Sequence, residues 1–156
     1  MRARLPSAAF LLIATTSAPL AAPATLDGAR AIERGYADAF GKAAIDEGVV
    51  SVAPDGDDYL VSWDLQKALD LAGAPTGALR IGRFSYRLKP TGEGAWTATA
   101  DQFPSLAFDV PTDKGKMTGT LDFAGFRLDA ASDPAQTNFL RSLIAADSLD
   151  GKFHLA

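Results

Sequence analysis

The chain has 156 residues, 15 Lys and Arg against 19 Asp and Glu for a formal charge of −4, one histidine and no cysteine. The missing thiols exclude disulfide scaffolds, zinc–thiolate centres and iron–sulfur clusters. An acidic balance without a basic cluster argues against nucleic acid and against anionic lipid headgroups as partners.

The N-terminus reads as a targeting segment. Arg2 and Arg4 precede the apolar run Ala8–Ala14, and Ala22-Pro23-Ala24 fits the small-x-small rule of signal peptidase. Residues 1–24 are expected to be a cleaved signal peptide, which leaves Thr25 as the mature N-terminus and directs the protein to the periplasm. The apolar run is far shorter than the ~20 residues that span a bilayer, so no transmembrane span is expected after cleavage. No cysteine stands near the cleavage point to carry a lipoprotein anchor. Without the two leader arginines the charge falls from −4 to −6, and sixteen of the nineteen acids are Asp, scattered at turns and strand edges, a pattern of solubility. A core built without disulfides in an exported chain fits a bacterial envelope. Residues 25–156 make one domain of ordinary size.

In chain order, residues 28–45 predict an amphipathic helix. Ala29, Ile32, Tyr36, Ala39, Phe40 and Ala43 recur at spacings of three and four, and Gly35 and Gly41 weaken the helix by about 1 kcal/mol each. Val49 to Ala53 and Tyr59 to Trp63 flank Pro54-Asp55-Gly56-Asp57-Asp58, a hairpin signal. Asp64 is placed to cap a short helix over Leu65 to Ala72, which Gly73-Ala74-Pro75-Thr76-Gly77 stops.

From Leu79 to Leu128 the apolar residues alternate. Phe84, Tyr86 and Leu88 share one side, then Trp96, Ala98 and Ala100, then Leu106, Phe108 and Val110, then Met117, Gly119, Leu121 and Phe123. Such a pattern predicts antiparallel strands with one apolar and one wet face. The parity shifts at Gly82, which predicts a bulge there. Thr91-Gly92-Glu93-Gly94, Phe103-Pro104 and Thr112-Asp113-Lys114-Gly115 are the expected turns. Ser132-Asp133-Pro134 predicts a helix start, with the helix running over 134–146 and burying Phe139, Leu140, Leu143 and Ile144. A last strand follows over Leu149 to Leu155. Two loose β–helix–β units result, Tyr59 to Ile81 and Gly119 to Leu155. The bare final strand leads to the expectation that the chain is the N-terminal part of a longer protein, or that a partner pairs with this edge.

The run from Leu88-Lys89-Pro90 through Trp96 and Phe103-Pro104-Ser105-Leu106 to Gly125-Phe126-Arg127-Leu128-Asp129, with Asp133-Pro134-Ala135, resembles a class of uncharacterised exported proteins of Gram-negative bacteria. The resemblance covers the part after Tyr59. It implies a signal peptide, long antiparallel strands and a chain longer than this one, and it brings no catalytic residues.

The single histidine, His154, lies between Phe153 and Leu155 and reads as a strand-end surface residue rather than a general base. No Gly-x-Ser-x-Gly turn exists for a Ser-His-Asp hydrolase. Asp55, Asp57 and Asp58 lack the fixed glycine and later glutamate of a calcium loop and read as a hairpin turn. Gly115-Lys116-Met117-Thr118 has Met where a phosphate loop needs Ser or Thr. Glu33, Glu47 and Glu93 single out no catalytic pair. Neither a metal nor another cofactor is expected.

The aromatic residues Trp63, Phe84, Tyr86, Trp96, Phe108 and Phe123 all fall on apolar faces. They read either as core beneath the helices or as the lining of a half-open trough for a lipid chain or another apolar ligand. The expected fold class is α+β: one curved antiparallel sheet of seven or more strands, with helices 28–45, 65–72 and 134–146 on its apolar face. The expected role is that of a non-enzymatic periplasmic protein that binds an apolar ligand or an envelope protein partner. The alternatives are a carboxylate-dependent hydrolase of the envelope and a truncated product without a separate function.

Overall fold

The computed structural model describes residues 23–74, 77–92, 95–132 and 139–155. The expected leader, apart from its last two residues, and the Asp133-Pro134-Ala135 helix start lie outside the described residues. Thr25 opens the first helix, α1 (Leu26–Phe40), and its hydroxyl accepts from the Gly28 amide at 3.0 Å. That bond satisfies one of the donors a helix start leaves without a partner. The helix expected over 28–45 is interrupted at Gly41, whose φ of 91° ends α1, and α2 (Ala43–Asp46) follows. β1 (Val50–Asp55) and β2 (Asp58–Asp64) form the expected hairpin. Asp64 then caps α3 (Leu65–Leu71), accepting from the Lys67 amide at 3.1 Å.

Among the described residues eight strands follow: β3 (Leu79–Ile81), β4 (Arg83–Gly92), β5 (Ala95–Ala100), β6 (Leu106–Thr112), β7 (Gly115–Ala124), β8 (Arg127–Ser132), β9 (Phe139–Ala145) and β10 (Ser148–Leu155). The fold is α+β, with all strand pairs antiparallel. The strands make two sheets rather than one: a larger sheet in the order β1-β2-β4-β5-β8-β9 and a smaller one in the order β10-β7-β6-β3.

The two orders follow one plan. β3–β4, β5–β6, β7–β8 and β9–β10 are each a pass of chain that gives one strand to each sheet, and the passes lie side by side in the same sequence in both. The breaks fall at Gly82, at residues 101–105, at Gly125-Phe126 and at Ala146-Asp147. Gly82 is therefore a change of sheet and not a bulge inside one strand, which accounts for the parity shift around it. At the third break Gly125 has a φ of 63°, and a Cβ there would lie 2.1 Å from Asp147 Oδ2. Glycine is what lets these two breaks touch.

The helix expected over 134–146 is a strand from Phe139 to Ala145. β9 pairs with β8 and sets Ile144 against Leu128 and Arg141 against Ala131. The apolar spacing makes one face in a helix, whereas in the strand Leu143 and Ile144 fall on opposite faces and are exposed rather than buried. The unpaired edge of β8 decides the outcome, because its backbone donors and acceptors need partners. Ser132 ends β8 as a buried residue, and its hydroxyl accepts from the Trp96 amide at 3.1 Å. In the second expected β–helix–β unit residues 139–145 are strand, and the strands of the first, β2 and β3, lie in different sheets.

The core belongs to the larger sheet. Ala29 of α1 packs with Val50, Val52, Tyr59, Val61, Leu88, Ala98 and Ala130. Among the described residues, none in β3, β6, β7 or β10 is fully buried.

Candidate functional site

The register of the larger sheet collects its apolar side chains on one face. Trp63 stands opposite Phe84, Val61 opposite Tyr86 and Tyr59 opposite Leu88, and Ala98 continues the row between Leu88 and Ala130. α1 lies on this face. Its Tyr36 and Phe40 rings meet Trp63 edge-on, with centroids at 5.5 and 5.2 Å. The Tyr36 hydroxyl hydrogen-bonds the Tyr86 hydroxyl. Burial pushes the Tyr36 phenol well above its ordinary range, and the charge and hydrogen bond of Tyr86 add to the rise. Both effects favour the neutral phenol, so Tyr36 is not poised as a base.

Beside the helix the face opens. A groove of about 610 Å³ runs between α1 and the β4–β5 hairpin, with Ala31, Gly35 and Ala39 on its helix side and Leu88, Pro90 and Trp96 on its sheet side. Small helix residues keep it wide, and a Cβ placed on Gly35 would meet nothing within 4 Å.

Toward the smaller sheet the apolar surface continues through a cluster of rings. Phe103, in the break between β5 and β6, lies 5.3 Å from Phe84, 5.0 Å from Phe123 and 5.2 Å from Phe126. Phe84 belongs to the apolar face of the larger sheet and Phe123 to that of the smaller, so Phe103 and Phe126 join the two faces. Beyond them come Leu106, Leu121, Phe108, Leu149 and Phe153. Phe108 lies over Gly119 and packs at a tilt against Phe153, with ring centroids 5.7 Å apart. This end is wet: Leu149, Phe153 and Leu155 are 57%, 64% and 56% exposed.

Neither a family model, nor a curated protein, nor a solved structure matches the chain.

The six aromatic residues singled out in the sequence thus share one surface but occupy different places on it. Trp63 and Tyr86 sit beneath α1, Trp96 lines the groove, Phe84 and Phe123 join the bridging cluster, and Phe108 lies on the open end. Sequence reasoning missed Phe103, because Phe103-Pro104 reads as a turn and turns are not searched for core, and it read Phe126 as the close of the apolar alternation without counting it among the lining residues. It also missed Phe153, whose strand has a glycine where an apolar neighbour would complete the alternation.

The opposite face of the larger sheet is polar. Where β4 and β5 part, beyond the Arg87–Thr99 pair, a cleft of about 520 Å³ is lined by Arg83, Ser85, Arg87, Thr99, Asp101 and Gln102. Arg87 holds Asp55 at 2.7 Å and Arg83 approaches Asp64 at 3.8 Å. Asp55 is therefore engaged by a cation of the protein itself. His154 is exposed on β10 opposite Thr118. Among the described residues no group of three His, Asp or Glu side chains is placed to hold a metal ion, and no helix is long and apolar enough to cross a membrane.

Proposed function

We propose that the protein is exported to the periplasm by residues 1–24 and acts there, without catalysis, by binding an apolar ligand such as a lipid chain. The observation that carries this reading is the uneven cover of one apolar face. α1 shields the part over β1 and β2, while the groove beside it and the smaller sheet, joined through the half-buried Phe103 cluster, leave apolar surface open to water. Contiguous apolar surface of that kind marks an interaction site. The small residues Ala31, Gly35 and Ala39 set the groove's width, and Trp96 is its large wall. The ion pairs of Asp55, Asp64, Asp109, Asp129 and Asp147 with cations favour binding over carboxylate chemistry.

The test is saturable binding of a dansyl-labelled undecanoate to the purified protein, together with solvent extraction and mass spectrometry of what co-purifies. Gly35→Leu, which places a side chain in the groove, should weaken dansyl-undecanoate binding roughly tenfold, the scale of a blocked apolar contact, with the far-ultraviolet spectrum unchanged. Absence of saturable binding together with an empty lipid extract would overturn the reading.

A further inference from the structure

We infer that two copies of this chain pair through β10, antiparallel about a two-fold axis at Gly151, and so join two smaller sheets into one of eight strands. The inference does not rest on ligand binding. β10 is an edge strand, paired along its length with β7 on one side and, among the described residues, with no strand on the other. A long edge with exposed apolar side chains on one face is a template for another strand.

In an antiparallel ladder the groups free to pair outward alternate along a strand. β7 already fixes which residues of β10 those are. A second β10 can therefore meet the first only in registers that pair residues of equal parity. Three such registers lie near the middle of the strand. Centring on Asp150 sets Asp150 against Asp150, and centring on Lys152 sets Lys152 against Lys152. Like charges directly opposite are unfavourable. Centring on Gly151 sets Asp150 against Lys152 twice, Leu149 against Phe153 twice and Ser148 against His154 twice. Across this seam Asp150, which stands opposite Asp122 of β7, gains a cation to face, and the exposed Leu149 and Phe153 cover one another on the apolar face. The same register uses the strand almost from end to end, since Gly151 is the midpoint of the span from Ser148 to His154. At the centre glycine faces glycine, so no side chain of either residue stands between the two backbones, and the Phe153 ring of the same strand lies over the apolar side of each.

Sedimentation equilibrium and covalent trapping test this on the purified chain. The wild type should show a monomer–dimer equilibrium in the micromolar range. Asp150→Lys and Lys152→Asp should each weaken it by roughly tenfold to a hundredfold, because each turns two attractive pairs into repulsive ones. The double swap D150K/K152D should restore the dimer, and mixing the two single variants should give a heterodimer. The chain has no cysteine, so single introduced thiols report register directly. Opposite residues of antiparallel strands lie ~4.5–5.5 Å apart, within disulfide reach. Gly151→Cys should therefore cross-link under mild oxidation, while Asp150→Cys and Lys152→Cys should not. The end of the Phe153 ring must turn aside for that thiol, whereas the charge variants require no such movement. A chain that remains monomeric at several hundred micromolar, charge reversals without effect, or faster cross-linking at 150 or 152 would each overturn the inference.

Discussion

The seating of α1 can be tested with one substitution made at two places. Gly28 and Gly35 both lie in α1, and Ala is favoured over Gly inside a helix by about 1 kcal/mol. Around Gly35 nothing stands within 4 Å of a new Cβ, so Gly35→Ala should gain that full amount, about 4 °C in Tm for a domain of this size. Gly28 is different. A Cβ there would lie 1.9 Å from the Tyr59 hydroxyl and 2.8 Å from the ring carbon that bears it. Tyr59 is only 8% exposed, and its hydroxyl accepts from the Thr25 amide at 3.3 Å. Either the ring leaves its place in the core or the first turn of α1 lifts from the sheet. Overpacking of this kind costs about 1–3 kcal/mol, more than the propensity gained in a first turn. The two variants should therefore differ in sign and be separated by about 2–4 kcal/mol. Urea unfolding followed by tryptophan fluorescence measures both, since Trp63 lies beneath this helix. Equal stabilisation by the two variants would show that α1 does not rest on Tyr59, and the groove argument would go with it.

Further outcomes follow from the same packing. Trp63→Ala removes the ring on which Tyr36 and Phe40 rest edge-on and should cost about 3 kcal/mol in urea unfolding. Stability should hold between pH 7 and 9 as far as Tyr36 is concerned and fall from pH 10 upward. There the unfolded chain, with an ordinary phenol at 10.0, gives up a proton that the folded chain keeps. The slope from this group is at most about 1.4 kcal/mol per pH unit, and Tyr36→Phe should flatten it. Gly119→Ala should destabilise the smaller sheet by about 1–3 kcal/mol, because its Cβ would fall 2.5 Å from the Phe108 ring and 2.6 Å from the Lys152 carbonyl oxygen. Hydrogen exchange of the amides from 115 to 123 reads that effect locally.

Alternation was legible wherever a strand has one dry face, and so were the hairpin at Gly56-Asp57 and the Asp64 cap, because each depends on residues a few positions apart. The division into two sheets was not. It depends on four breaks lying side by side, and only Gly82 left a trace, as a parity shift that a bulge would also produce. The strand over 139–145, where a helix was expected, has a related origin. Phe139, Leu140, Leu143 and Ile144 have the spacing of a helix face, and the need of the β8 edge for a partner, which overrides it, is a property of the assembled sheet. Of the site, the sequence showed which aromatic residues share a face. It could not show that α1 ends at Gly41 and leaves the groove beside Trp96, since cover is a matter of where a helix lies and how far it reaches.

The polar face bears on why the other face stays apolar. Arg83 with Asp64, Arg87 with Asp55, Lys116 with Asp109, and Arg141 with Asp129 all reach between strands on the wet side, and Ser62 meets Ser85 there at 2.8 Å. Exposed pairs of this sort add little stability, from nothing to about 1 kcal/mol each. What they add is register, because a slip by one residue would carry a charge to the dry side and an apolar side chain to the wet one. Most of them span the strands that carry the groove and the open strip. A sheet held one-sided by its charges, with a single long helix over part of its dry face, keeps the rest of that face in one arrangement. That constancy is what a surface needs if it is to receive a chain of methylenes.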